Sequence, residues 1–245
     1  NFRRPYFSRN ISEYWHRWHI TLGAWLREYL FYPIAMSKLF QKFGRSLKKH
    51  FGMKISKVLP VSIASLITFI VVGIWHGAYW RYVGFGLWNG LIIMVSTLLE
   101  DKYAVWKKTL HIRDTNKLFI LFQMFRTFLI VLVGYYFDIA PGFTAALKMM
   151  WLSITDFHIS ELADPAIFDA LGVSSASLIL VAIAVLALLV CSIVQECSGR
   201  TLREMICSKG FWAEAGVFLL LFWVVAIFGV YGPGTNPAEF VYMQF

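Results

Sequence analysis

The chain has 245 residues, of which 58% are hydrophobic and only 15% are charged. Soluble domains carry about a quarter charged residues, so this composition excludes an ordinary soluble protein and indicates a protein of the lipid bilayer. The net charge is +9, and basic residues concentrate in two blocks, 38–57 and 102–117, which lie between apolar segments. This pattern is typical of the cytoplasmic loops of membrane proteins and argues against a nucleic-acid partner.

The three cysteines, Cys191, Cys197 and Cys207, are odd in number and lack metal-ligand spacing. We therefore expect neither a disulfide framework nor a metal site.

The first predicted element is an amphipathic helix over about residues 11–32. Asn10 followed by Glu13 matches a helix-start capping box, with Asn in place of the usual Ser or Thr. At about 100° per residue, Trp15 and Trp18 fall on one apolar stripe of this helix together with Trp25 and Tyr29. The helix is too polar for a simple span, so it is predicted to lie at an interface or to dip into the protein.

Five apolar runs that follow are long enough to cross a bilayer, which takes roughly 20 apolar residues. They cover about 58–76, 82–99, 118–137, 172–194 and 215–231. The segments between them alternate in charge, which places the basic segments in the cytoplasm and the acidic segment outside. The sequence therefore predicts an all-α, polytopic transmembrane protein with a single membrane domain over residues 1–245.

Two pairs of glycines, Gly73 with Gly77 and Gly86 with Gly90, have the four-residue spacing that lets membrane helices approach closely. The stretch that ends near His76 is therefore expected to pack against another helix instead of lipid.

His76 is the leading candidate for chemistry, because no Lys, Arg, Asp or Glu occurs from Val58 to Trp80. An ionisable side chain in such a run is costly unless it faces a cavity or a partner. The alternative is a histidine at the membrane boundary, beside aromatic residues such as Trp75 that are common at that level.

A second Trp-His element contains His16 and His19. On the predicted helix His19 lies at the border of the aromatic stripe, whereas His16 lies farther toward water, so His19 is the favoured companion of His76. Arg126 interrupts another apolar run, and three roles stay open for it. The first role is to extend its charge to the membrane surface, and the second is to pair with a carboxylate such as Asp138. The third is to line a polar tunnel and bind an anionic donor.

Several of these motifs together resemble the signature of the membrane-bound O-acyltransferase family, in particular the branch of the alginate O-acetyltransferase membrane subunit. The stretch 5–20, PYFSRNISEYWHRWHI, carries much of the resemblance, and segments 25–30, 75–78, 229–234 and 240–245 fit the same branch. Glu28 stands where an aspartate is usual, and the segment after Tyr29 departs from the alginate-type continuation. These departures leave the identity of the polymer open.

The resemblance implies that the chain is the C-terminal part of a longer, multi-pass enzyme of the bacterial plasma membrane. His76 would match the catalytic histidine, in a tunnel or at its constriction, and His19 a second required histidine. The acyl group, acetyl by preference, would come from a cytoplasmic thioester donor such as acetyl-CoA or an acyl carrier. It would pass to hydroxyl groups of an extracytoplasmic polysaccharide, with the help of a secreted or membrane-anchored partner acyltransferase. No bound cofactor or metal is implied.

On this hypothesis His76 is a general base for the attacking hydroxyl, and His19 positions or polarises a reacting group. The substrate path would be lined by Trp15, Trp18, Trp75 and Arg126. Two other interpretations stay open. The D-alanyl transfer protein of teichoic acid modification shares the fold and both Trp-His motifs, whereas a transporter or scaffold would need neither histidine.

Overall fold

A computed structural model of the chain describes residues 1–160, 164–170 and 174–228. Every regular element within these ranges is helical, so the predicted all-α class is confirmed. A short 3₁₀ turn covers Pro5–Phe7 and a π-helical turn covers Arg27–Phe31. The α-helices are α1 (Ile11–Arg17), α2 (Ile20–Leu26), α3 (Tyr32–Ala35), α4 (Lys38–His76), α5 (Trp80–Leu98), α6 (Glu100–Thr109), α7 (Lys117–Ile139), α8 (Phe143–Thr155), α9 (Pro165–Ala170), α10 (Ser175–Ser198), α11 (Leu202–Cys207) and α12 (Phe211–Phe228).

Several helices of the described residues have the length that a bilayer requires. α4, α7 and α10 are long and apolar enough to cross a membrane, and α5 with α6 adds a fourth span if this pair, bent by 58°, counts as one. These helices correspond to four of the five predicted spans. α12 is a shorter apolar helix, and the end of the predicted span 215–231 lies outside the described residues. The polytopic membrane architecture is therefore confirmed.

The chain divides into two compact units, the first over Asn1–Phe157 and the second from His158 onward. In the first unit α4 packs on α5, α5 packs on α7 and α8, and α1 lies against both α5 and α7. The buried residues Phe85, Phe137, Ala140 and Ala146 form its main apolar cluster. In the second unit α11 begins with a capping box between Thr201 and Glu204 and contacts α12.

α4 is not straight, because Gly52 takes up a left-handed conformation (φ 81°, ψ 176°) inside it. A first arm, 38–51, is thereby separated from a second arm, 53–76. The two arms meet again at Gly44, where an added Cβ would lie 2.8 Å from the carbonyl oxygen of Ser56 and 3.5 Å from Pro60. The basic block that the charge pattern indicated as a loop is therefore mostly a helical hairpin.

The amphipathic helix predicted over 11–32 is divided, and the prediction of one continuous helix is wrong. Trp18 is extended (φ −97°, ψ 130°) and His19 is left-handed (φ 45°, ψ 55°), so α1 ends before them and α2 begins after them. Residues 1–3 pair with the backbone on both sides of this break: Arg3 N–H donates to the Arg17 carbonyl (2.8 Å) and Ile20 N–H donates to the Asn1 carbonyl (2.9 Å). Backbone groups at the break are thus satisfied without helix geometry.

Glycine allows α4 and α5 to approach closely, as the spacing of these residues indicated. A Cβ at Gly73 would clash with the Tyr82 carbonyl, and one at Gly86 would clash with the Phe69 carbonyl. A Cβ added at Gly90 would lie only 2.7 Å from a side-chain atom of Leu66, so this position also requires glycine for the close contact. Gly77 differs from the other three, because it follows α4 with φ 152° and forms the turn toward α5 instead of a helix contact.

Replacement of Gly73 or Gly86 by alanine should destabilise the protein by roughly 1–3 kcal/mol, since the new methyl group meets backbone and forces the helices apart. Thermal unfolding in detergent should show a lowered midpoint for both variants. Gly216→Ala is the matched control, because nothing lies within 4 Å of a Cβ at that position. A Gly73→Ala protein that unfolds at the wild-type temperature would contradict the close packing.

Candidate functional site

His19 sits at the break between α1 and α2 and is half-buried. A left-handed conformation at a residue other than glycine costs of order 1–3 kcal/mol and persists only where the surroundings impose it. Here Thr21 donates from its N–H (2.9 Å) and its hydroxyl (2.7 Å) to the Asn1 side chain, and the Phe2 ring lies 6.0 Å from the imidazole. The first residues of the chain therefore hold His19 in place.

The Nδ1 atom of His19 is buried, and among the described residues it has no hydrogen-bond partner. A buried polar atom without a partner is unfavourable by about 1–3 kcal/mol. This atom is therefore available to a group that does not belong to the described residues. His16, in contrast, is exposed, and its Nδ1 lies 2.7 Å from the carbonyl of Ser12 in its own helix. As predicted, His19 is the more buried of the two histidines and His16 is exposed. The continuous helix on which that prediction relied is nevertheless broken.

His76 is the last residue of α4 and is half-buried at the turn into α5. Its ring lies in an aromatic setting, with centroid distances of 5.0 Å to Trp75, 5.7 Å to Phe85 and 6.2 Å to Tyr82. Trp75 itself is 54% exposed, so it lies at the surface of this group of aromatic rings around His76. The histidine is therefore packed on one side and open on the other.

Trp15 connects the two Trp-His elements. Its ring lies 6.2 Å from Phe85, the same ring that packs on His76, and 5.1 Å from Phe69. Phe85 thus contacts both Trp15 of the first Trp-His element and His76 of the second. Residues that are far apart in the sequence are thus brought into one region of the first unit.

Trp18 belongs to a neighbouring aromatic group. It stacks on Tyr14 at 5.7 Å and packs edge-on against Phe2 at 4.8 Å. The Tyr14 hydroxyl lies 3.2 Å from that of Tyr135, and burial raises the pKa of the Tyr14 phenol far above its usual range. Tyr14 therefore stays neutral and anchors α1 to α7.

Asn89 is a buried polar residue of this region that sequence reasoning missed. Its Oδ1 accepts from the Trp15 indole N–H (3.3 Å), and its Nδ2 donates to the Phe85 carbonyl (2.9 Å). The amide thereby fixes the ring that bridges the two histidines. A lone amide within an apolar span was the available signal.

Arg81 is a second residue that sequence reasoning missed. Its Nη1 donates to the Ala140 carbonyl (2.7 Å), its Nη2 donates to the Tyr82 hydroxyl (3.0 Å), and the guanidinium lies 4.6 Å from the centre of the Tyr82 ring. The carboxylate of Asp138 interacts with it electrostatically. Arg81 is the first charged residue after the uncharged run that contains His76, and this position was the signal. It borders the histidine through Tyr82.

Arg126 is exposed, and its Nη2 donates to the Arg9 carbonyl just before α1 (2.9 Å). Pairing with Asp138 is excluded by geometry, because the two residues lie on one straight helix about 18 Å apart along its axis. Of the roles considered for Arg126, exposure to the membrane surface and binding of an anionic donor stay open.

Comparison with known proteins shows that the chain is similar in sequence to several bacterial enzymes. Over 187 residues, or 76% of the chain, it is 29% identical to a probable alginate O-acetylase of Azotobacter vinelandii, of which it covers 32%. Over 117 residues (48% of the chain) it is 27% identical to a teichoic acid D-alanyltransferase of Streptococcus thermophilus, of which it covers 25%. Over 95 residues (39% of the chain) it is 34% identical to a peptidoglycan O-acetyltransferase of Helicobacter pylori, of which it covers 15%.

These relatives confirm the resemblance to membrane-bound O-acyltransferases that the motifs indicated. No family model matches the chain. The chain spans no more than about a third of the length of these relatives. The motif segments 229–234 and 240–245 lie outside the described residues.

Replacement of Asn89 by leucine should leave the Trp15 indole N–H buried without an acceptor, at a cost of about 1–3 kcal/mol. A lowered unfolding midpoint in detergent is the expected result. Trp15→Phe removes the donor of the same hydrogen bond. The double variant, Asn89→Leu with Trp15→Phe, should therefore lose less stability than the sum of the losses in the two single variants. Strict additivity of the two effects would contradict a direct hydrogen bond.

Proposed function

We propose that this chain, a relative of the membrane-bound O-acyltransferases, contains the acyl-transfer site of a bacterial plasma-membrane enzyme. The enzyme takes an acyl group, acetyl by preference, from a thioester donor at the cytoplasmic side. It delivers that group to hydroxyls of an extracytoplasmic polysaccharide, with a secreted or membrane-anchored acyltransferase as partner. The observation that carries the proposal is the convergence of two distant Trp-His elements on Phe85, one of which presents a buried imidazole nitrogen that has no partner among the described residues.

His76 acts as the general base. The attacking hydroxyl loses its proton to the imidazole as its oxygen bonds to the thioester carbonyl carbon, and collapse of the adduct expels the donor sulfur as thiolate. The imidazolium then returns the proton to that sulfur. Such proton transfer by a positioned histidine contributes roughly 10²–10⁴-fold in rate. The half-buried aromatic setting of His76 suits this role, because the reaction needs the neutral imidazole.

His19 positions or polarises a reacting group. Its buried Nδ1 lacks a partner among the described residues, and a substrate hydroxyl or carbonyl would satisfy the ring. The strained backbone at His19 supports a functional role, since strain of this kind clusters at active sites.

Trp15, Trp18 and Trp75 line the path of the substrate in this proposal. Trp15 packs on Phe85, the ring that also packs on His76, and Trp18 stacks on Tyr14 beside it. Trp75 is exposed next to His76. Arg126 is the candidate for the anionic part of the donor. It is exposed on α7, which begins next to a basic cytoplasmic segment, and one of its nitrogens is already fixed by the Arg9 carbonyl.

Replacement of His76 by glutamine should lower acyl transfer by roughly 10²–10⁴-fold, because the general base is lost. The acyl content of the surface polymer should be measured in a deletion strain that produces each variant at wild-type protein level. His19→Gln should also lose most activity. His16→Gln is the matched control, because His16 is exposed and its Nδ1 lies against its own helix, so activity should be retained.

Wild-type polymer acylation by the His76→Gln protein would disprove the assignment of the base. Retention of activity by both His76→Gln and His19→Gln would favour a transporter or scaffold, which needs neither imidazole. If His16→Gln lost as much acyl-transfer activity as His19→Gln, the Trp-His element that contains both residues would have only a structural role.

A second candidate function is D-alanyl transfer to teichoic acid, because two of the relatives are named teichoic acid D-alanyltransferases. The acyl group distinguishes the two functions. Mild base should release acetate from the polymer of a wild-type strain, and this acetate should disappear when the gene is deleted. Loss of ester-linked D-alanine with unchanged acetate would establish the second function in place of the first.

A further inference from the structure

The two arms of α4 border an open, shallow cleft that the proposed chemistry does not use. The cleft has a volume of about 420 Å³ and lies on the basic side of the first unit. Three cationic side chains line it, together with polar and apolar groups. The cations are Arg45, Lys48 and Lys57.

Within the described ranges these three cations have no carboxylate partner. Among the described residues, none of them has an acidic side chain within ion-pairing distance, whereas the neighbouring Lys54 pairs with Asp101 of α6. Like charges around one cleft repel each other, and an anion between them would relieve that repulsion. The cleft is therefore complementary to a negatively charged group.

The surroundings of the cleft indicate which anion fits. Leu39, Phe51 and Met53 of the hairpin are 72%, 61% and 51% exposed, although they are apolar. Pro60 and Val61 line the cleft on the second arm, which carries no charge after Lys57 until the helix ends at His76. Basic groups thus give way to an apolar surface within a few residues, as occurs where lipid headgroups meet acyl chains.

We propose that this cleft binds an anionic phospholipid of the cytoplasmic leaflet. The phosphate lies among Arg45, Lys48 and Lys57, and the acyl chains run along the second arm past Val61. The lipid thereby holds together the two arms that meet at Gly44 and Ser56. This site is independent of acyl transfer at the two histidines.

Binding should be measured by native mass spectrometry and by thermal unfolding of the full chain in detergent, with phosphatidylglycerol or phosphatidylcholine added. Phosphatidylglycerol should bind more tightly and raise the unfolding midpoint more. In the variant R45Q/K48Q/K57Q this preference should fall by about 100-fold at low salt, since each basic residue near an anionic surface contributes about fivefold. The variant K102Q/K108Q/K117Q removes three charges from the other basic block and should keep the preference.

Three results would overturn the proposal. One is equal binding of the two lipids by the wild-type chain, a measurement that does not depend on whether the triple variant folds. Another is an equal loss of preference in the control variant, which would indicate general charge attraction instead of a site. The third is stabilisation by coenzyme A or inorganic phosphate with none by phosphatidylglycerol, which would assign the cleft to a soluble phosphate ligand.

Discussion

The close contact between the backbones of α4 and α5 is the constraint on which the rest of the first unit depends. Gly73 lies against the Tyr82 carbonyl and Gly86 against the Phe69 carbonyl, with no room for a side chain. In a bilayer, lipid tails compete with apolar side chains, so association of helices relies on such close packing. Because the two helices are locked together, the turn that follows His76 is short, and the imidazole is placed against Tyr82 and Phe85.

The second histidine depends on a different kind of interaction, a backbone pairing between the chain start and the break after α1. The bonds from Arg3 and to Asn1 stabilise a left-handed His19, which the local sequence would not adopt alone. Near the histidines the Asn89 amide and the Trp15 indole satisfy each other by a hydrogen bond. The Nδ1 atom of His19 is an exception, and it lies where the proposed reaction needs a free polar group.

Positive charges are exposed in the basic hairpin and enclosed in the histidine region. Arg45, Lys48 and Lys57 of the hairpin are exposed and have no acidic partner among the residues that the structure describes, as suits a surface that meets phosphate. The charge nearest His76, in contrast, is enclosed, because Arg81 is bound by the Ala140 carbonyl and the Tyr82 ring and interacts with Asp138. These partners offset the desolvation cost of that charge within an apolar protein.

The sequence by itself determined the class of protein, four of its spanning helices, the resemblance to O-acyltransferases and the prominence of His76. Lengths of apolar runs, blocks of basic residues and short motifs are local properties, and local properties are visible in a linear chain. Only the tertiary structure decided that the helix predicted over 11–32 breaks at Trp18, where no glycine or proline marks the position. It also showed that α4 folds back at Gly52, that Arg81 binds Tyr82 beside His76, and that Asn89 binds Trp15. These features rest on hydrogen bonds and contacts between residues remote in sequence, such as Asn1 with Ile20 and Trp15 with Asn89, and no local pattern encodes such partners.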